Sequence, residues 1–281
     1  MGTNGAGFDG GIRHDLLVEQ KTQDTRLYVI GLGIKIPDHT TVEALRIMSK
    51  CTRIYSIVQE SPQLWLPPGR TSEVPVVNVL GMYAEGAVRT ENYDRVASAI
   101  FKALTETQTV GYVTYGNPLA YDSVAQNLIR QAQRSGTRIE IVAGISSIDT
   151  LLCDLGVDMA PGIQIYEASW LVASRVRLNV AAAAILLQLG TFGSFRAHYR
   201  DWRSAGSLEE LRSYLMGSYP SSHKVTLVQS SNQLQPARIT EVILEKLCQV
   251  GAEDFMGASM YVPAIEIVRL DENTVMRMVQ S

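Results

Sequence analysis

A chain of 281 residues is long for one compact core and fits two domains of ordinary size. With 46% apolar and 19% charged residues it has the composition of a globular protein, not of a disordered one. A formal net charge of −3, with no Lys/Arg run, gives no field to draw nucleic acid, so no nucleic-acid partner is expected.

Residues 1–24 carry glycines and little apolar periodicity and read as a mobile leader. They hold no signal-peptide core, and no run of about 18 apolar residues occurs anywhere, so no membrane span is expected. Residues 27–30 are an apolar strand that ends in Gly31-Leu32-Gly33. Thr40 or Thr41 caps the next helix, whose apolar face is Val42, Leu45, Ile47 and Met48. Residues 53–58 are a second strand, and the prolines of 61–75 mark a loop. Helical spacing runs over 93–104 and 121–132, and strands over 109–114 and 138–142. A short helix follows at 148–155. This alternation predicts a mostly parallel sheet.

The second half offers strands at 163–166, 182–189, 225–229 and 260–264, with helices at 208–216 and 240–248. A long loop covers 191–207. The expected organisation is therefore α/β, with a leader at 1–24, an N-terminal domain at 25–147, a C-terminal domain at 148–268 and a mobile tail at 269–281. Cys51, Cys153 and Cys248 form no C-x-x-C pair, which suits small apolar fillers in a reducing cytoplasm. His14, His39, His198 and His223 stand at no ligand spacing, so no metal is expected.

Three strand ends carry glycine or small residues: Gly31-Leu32-Gly33, Gly116-Asn117-Pro118 and Ala143-Gly144-Ile145-Ser146-Ser147. In a parallel sheet these loops share the carboxyl edge, where ligands bind. Glycine there lets a ligand press on the backbone, although each loop alone also reads as a structural turn. A dinucleotide fingerprint is poorly supported, because the third glycine is missing and Pro37 stands where a helix should open.

Taken in order, the strand with its G-x-G end, then T-Y-G-N-P, then I-V-A-G-I-S-S resembles the tetrapyrrole methylase superfamily over residues 27–262. The resemblance implies a two-domain α/β fold, a homodimer, and S-adenosylmethionine held between the domains. The residues it assigns to that donor are Gly31, Gly33, Tyr115, Gly116, Asn117, Pro118, Tyr121, Gly144, Ser146, Ser147, Ala168 and Gln188. Within the superfamily, residues 79–93, Tyr166-Glu167-Ala168-Ser169 and Leu187-Gln188-Leu189-Gly190 resemble the borosin-type peptide backbone α-N-methyltransferases. There, tyrosines and one arginine surround the amide that is methylated. Tyr83, Arg89 and Tyr93 stand at matching positions, while Leu80 stands where a further tyrosine is frequent.

Amide nitrogen is a poor nucleophile because its lone pair is delocalised. Methylating it needs a base for the N–H proton and a donor for the developing oxyanion. Tyr83 suits either role, Tyr93 is its partner and Arg89 the charge that tunes them. The bland alternative is that the tyrosines merely pack with polar tips outward and that Arg89 is a solvated helix residue. Best-known borosins carry their substrate as a C-terminal extension. Here no apolar tract follows Pro263, so a separate RiPP precursor peptide is the expected substrate. The alternatives are a small-molecule natural-product intermediate or heterocycle as acceptor, and a donor-binding protein with weak catalysis.

Smaller readings complete the set. Ser146 or Ser147 caps the helix at 148, and Asn117 either forms a turn or faces the donor. Gln188 is read as a buried amide in need of partners, and Glu167 as a strand-end residue with a structural partner or a cleft role. Asp149 and Asp154 are read as exposed helix carboxylates.

Overall fold

The strand read at 27–30 extends over Arg26–Gly31 (β1) and lies inside a five-stranded parallel sheet, paired on both sides. In the computed structural model, which describes residues 25–70, 73–194, 196, 208–265 and 270–279, its neighbours are β4 (Thr109–Thr114) and β5 (Arg138–Val142). β2 (Arg53–Ser56) and β3 (Val76–Asn78) complete the order β3-β2-β4-β1-β5. Every pairing is parallel, as the alternation predicted, so all five strands deliver their loops to one edge. The 1–24 leader lies outside the described residues.

Helix α1 (Val42–Met48) is capped by Thr41, whose hydroxyl accepts from the Ala44 N–H at 3.0 Å. Val42 is 82% exposed and drops out of the apolar face; Ala44 takes its place in the core. The predicted loop at 61–75 contains a helical turn, α2 (Pro62–Trp65). Burying Trp65 accounts for it, since the indole N–H must reach a partner and finds the Glu60 carbonyl at 3.0 Å. Helix α3 (Arg89–Ala103) starts four residues earlier than the spacing suggested. Helix α4 (Ser123–Ser135) starts later, because Asp122 is its N-cap and Tyr121 lies outside it at φ 66°. Helix α5 (Ser147–Leu155) begins with a capping box between Ser146 and Asp149.

The second sheet has the order β6-β7-β10-β8-β9: β6 (Ile163–Glu167), β7 (Ala183–Leu187), β8 (Lys224–Gln229), β9 (Arg238–Ile243) and β10 (Ser259–Val262). Only β6 and β7 pair in parallel. The helix expected at 240–248 is corrected. Arg238–Ile243 pairs along its whole length with β8, and a 3-10 helix, Leu244–Gln249, follows. Helices α6 (Ala168–Ser174), α7 (Glu209–Met216) and α8 (Ala252–Phe255) surround this sheet. In the tail, Glu272–Val279 is a helix (α9), and the Asp271 carboxylate accepts from the Thr274 N–H at 2.9 Å. Most of the loop read at 191–207 lies outside the described residues.

Of the three free cysteines, Cys51 is a buried filler, but Cys153 and Cys248 are exposed, contrary to expectation. Among the described residues, no helix is long and apolar enough to cross a membrane, and no group of His, Cys, Asp and Glu is arranged to hold a metal ion.

Candidate active site

The three glycine loops meet at the carboxyl edge of the first sheet. Gly33 and Gly116 form an antiparallel bridge, with the Gly116 N–H on the Gly33 carbonyl at 2.9 Å. A Cβ on Gly144 would stand 2.2 Å from the Gly116 carbonyl oxygen, and one on Gly31 would stand 2.3 Å from it. Pro118 Cδ would stand 2.8 Å from the same Cβ on Gly31. These glycines are buried, so they let three backbones touch. What the edge presents outward are their neighbours Ala143, Ile145, Asn117, Leu119 and Tyr121.

Other predicted donor residues divide by their bonds. The Ser146 hydroxyl accepts from the Ile148 and Asp149 N–H groups, and Ser147 opens α5. The cap is therefore Ser146, and Asp149, exposed as expected, is its reciprocal partner at 2.7 Å from the Ser146 N–H. The Asn117 side chain accepts from the Leu119 N–H at 2.9 Å, a turn-forming bond. The Tyr115 hydroxyl donates to Glu60 at 2.6 Å and accepts from the Gln59 N–H at 2.8 Å. Burial pushes that phenol well above its ordinary range.

Tyr121 is half exposed, and its electrostatic neighbours are Glu167 and Tyr166 of the second half; burial and both of these raise its pKa. A cleft between the two halves thus has Tyr121 on one wall and the end of β6 on the other. Glu167 has a structural partner, the Trp170 N–H at 2.5 Å, and Tyr166 stacks on Trp170. Ala168 is wholly buried in the second core. Gln188 is corrected from a buried amide to an exposed residue at φ 66°, with the Thr191 hydroxyl on its carbonyl.

Tyr83, Arg89 and Tyr93 come together. The early start of α3 puts Arg89 and Tyr93 one turn apart on one face, and the Arg89 Nε donates to the Tyr93 hydroxyl at 3.0 Å. The Tyr83 ring meets the Tyr93 ring edge-on, with centroids 6.2 Å apart. Burial pushes the Tyr83 phenol far above its usual value, with Tyr93 and Asp122 adding to the rise and Arg89 opposing it. Arg89 also reaches the second half, donating to the Ser194 carbonyl at 3.3 Å. Arg196 bridges to Val88 and donates to the Gly86 carbonyl at 2.7 Å.

The sequence reading missed several residues here. The buried Tyr112 hydroxyl donates to Asp122 at 3.0 Å, behind Tyr83. His39 accepts from the Ile34 and Lys35 N–H groups, both at 3.3 Å, and fixes the first glycine loop. Asp154, read as an exposed helix carboxylate, accepts from the Ser231 N–H at 2.9 Å and its hydroxyl at 2.8 Å. The one sequence signal for Asp122 was its place before a helix, where Asp is a common cap.

The family described as Tetrapyrrole (Corrin/Porphyrin) Methylases matches residues 26–231. A Serendipita vermifera protein, described as a methyltransferase and ribosomally synthesized type I borosin cyclic peptide precursor, is 24% identical over 255 residues. That match covers 90% of this chain and 62% of the relative. The dendrothelin A precursor of Dendrothele bispora, also described as a methyltransferase, is 26% identical over 62% of this chain and 41% of its own length. The chain thus spans about four- to six-tenths of these two relatives. Among solved structures, Thermus thermophilus uroporphyrin-III C-methyltransferase with S-adenosylhomocysteine superposes at TM-score 0.57 and 16% identity, covering 85% of this chain and 97% of that one. Cobalt precorrin-4 methyltransferase does so at 0.57 and 15%, covering 88% and 98%. Both show the same fold.

Proposed function

The chain belongs to the tetrapyrrole methylase family, whose members use S-adenosylmethionine, and from that premise we propose that it N-methylates backbone amides of a separate precursor peptide. The observation that carries this reading is the loop from Tyr115 to Asp122. One end is clamped in the glycine edge, and the other supports the Tyr83–Arg89–Tyr93 cluster. Donor edge and tyrosines are thus two ends of one short segment.

The edge suits the donor chemically. Ala143, Ile145, Leu119 and Tyr121 offer apolar contact to a nucleoside and thioether chain, and Asn117 lies beside them with a side-chain amide. Bound S-adenosylmethionine supplies an electrophilic methyl group. The chain's own residues must then hold the acceptor amide and take its proton. Tyr83 keeps its proton in its buried setting and so donates to the amide oxygen as charge develops there. The Tyr93 oxygen, held by the Arg89 Nε, takes the amide proton as its own hydroxyl proton passes to solvent, so that no net charge is left on the phenol. This ranks the two tyrosines, which spacing alone left equal.

The borosin relatives are described as precursors as well as methyltransferases, which supports a peptide acceptor. The same reading includes a homodimer working in the cytoplasm. Calorimetric titration with S-adenosylmethionine tests the donor site, and mass spectrometry of peptides incubated with enzyme and donor tests the acceptor. Binding that survives Tyr83→Phe and Arg89→Ala, with methylation abolished, is expected. No donor binding by a folded wild type would overturn the reading. Methylation of small heterocycles but of no peptide would replace the acceptor class.

A further inference from the structure

We propose that Asn92 is a positioning residue for methyl transfer: its buried side-chain amide, bonded to both backbone groups of Ala84, fixes the Tyr83 ring against Tyr93 where the acceptor amide is held. The inference rests on the peptide-methylation reading for what the two tyrosines do, and on hydrogen bonds for the rest.

Tyr83 and Ala84 lie between the 3-10 turn Val79–Met82 and α3, in neither helix nor strand. Their backbone groups therefore need partners from elsewhere. The Tyr83 N–H turns back to the Leu80 carbonyl at 3.2 Å. Asn92 Oδ1 accepts from the Ala84 N–H at 2.8 Å, and Asn92 Nδ2 donates to the Ala84 carbonyl at 3.0 Å. That carbonyl also accepts from the Ala87 N–H at 3.3 Å, in the turn that follows. Asn92 pairs with Ala84 as an edge strand would, but from a side chain in the first turn of α3. Arg95 donates to Asn92 Oδ1 at 2.9 Å and to the Met82 carbonyl at 3.2 Å. Both flanks of Tyr83, Met82 and Ala84, are thus held by residues of α3.

Asn92 is wholly buried, where an unpaired amide is costly. A leucine would fill a similar volume with no polar atom to satisfy. What the amide adds is direction, because one acceptor and one donor at fixed angles admit one placement of the Ala84 backbone. Asn92 also precedes Tyr93 in the chain. The same residue therefore anchors the segment that carries Tyr83 and sits beside the ring that Tyr83 meets edge-on at 6.2 Å.

The test incorporates 3-fluorotyrosine into the full chain and reads fluorine resonances without substrate. Tyr83→Phe and Tyr93→Phe assign the two signals. Asn92→Leu removes both bonds at similar volume, and Asn92→Asp keeps the acceptor and loses the donor. In both, the Tyr83 and Tyr93 resonances are expected to move and broaden, while those of tyrosines in the second half stay in place. Single-turnover methylation, at a temperature where each variant is folded, should fall about 100-fold in Asn92→Leu, as for a misplacement of about 1 Å. In Asn92→Asp it should fall about tenfold, for one lost bond. The loss should lie in kcat and not in the KM for peptide, and donor affinity by calorimetry should match wild type. Arg95→Gln, at an exposed position, loosens the Met82 flank and should move the Tyr83 signal by less; it decides the matter if neither Asn92 variant folds. A folded Asn92 variant whose Tyr83 and Tyr93 signals or whose turnover match wild type would overturn the proposal and leave Asn92 a core residue, even with a lower Tm. A wild type that methylates no peptide refutes the functional reading, while the fluorine signals still decide whether Asn92 sets the two rings.

Discussion

Replacing Gly144 by alanine probes the convergence of the three loops directly. Gly144 has no positive φ, so the backbone accepts alanine and the effect is steric. The new Cβ would stand 2.2 Å from the Gly116 carbonyl oxygen, with Gly31 backbone atoms at 2.8 and 2.9 Å. Ordinary contact lies near 3.5 Å, so backbone must retreat by about 1 Å. Overpacking of this kind costs about 1–3 kcal/mol. The alanine also restricts the unfolded chain, which offsets about 0.4–1 kcal/mol. A net loss of roughly 1–2 kcal/mol lowers Tm by about 2–8 °C for a chain of this size. A displacement of about 1 Å at the donor edge costs on the order of 100-fold in turnover. Thermal melting and a single-turnover methylation assay measure the two effects, with calorimetric titration reporting donor binding. Gly81→Ala is the control, since nothing lies within 4 Å of its Cβ and its φ is not positive; it should stay within about 0.5 kcal/mol of wild type. A Gly144→Ala protein that melts with wild type and binds donor equally well refutes the argument.

Arg89→Lys should cut single-turnover methylation by about 100-fold with donor binding intact, because an ammonium cannot hold Tyr93 and the Ser194 carbonyl together as the guanidinium does. Loss of donor binding in that variant would move Arg89 to the donor side. His39 predicts a pH dependence. Burial first, then Lys35, lower its pKa from 6.5, while Asp38 and Asp149 act the other way. A depressed pKa means the folded loop prefers the neutral ring, so its contribution is whole above 6.5 and is lost as pH falls through the lower folded value. An imidazolium Nδ1 carries a proton and cannot accept from Ile34 and Lys35. Donor affinity should therefore drop on acidification in wild type and show no such step in His39→Phe, measured by titration across that range. Asp154→Ala removes both bonds to Ser231 and should cost about 1–3 kcal/mol in urea unfolding; an unchanged midpoint would show that water replaces them freely.

Chain-local information carried the sheet elements well. Residues 109–114 and 138–142 came out as strands with matching bounds: β4 is a buried run of apolar and β-branched residues, while β5, at the sheet edge and largely exposed, sets isoleucine and valine between charged residues and a turn. The same reasoning failed for β9, where residues at helical spacing pair with β8 instead; sheet pairing outweighed local periodicity. The resemblance supplied Tyr83, Arg89 and Tyr93, but spacing could not give their order of roles. In the proposed mechanism that order rests on which ring the Arg89 Nε reaches and on the burial of Tyr83.

The sequence by itself determined the family, the parallel first sheet, the glycine edge and the choice of Tyr83, Arg89 and Tyr93 as candidates. Each is written in short motifs whose neighbours along the chain are also neighbours in space. Only the tertiary structure decided that the glycines serve backbone contact across three loops, that Arg89 ties α3 to the second half, and that Tyr112 and Asp122 pair. Those contacts join residues from separate strands and helices, and no local pattern of charge or hydropathy encodes which two will meet.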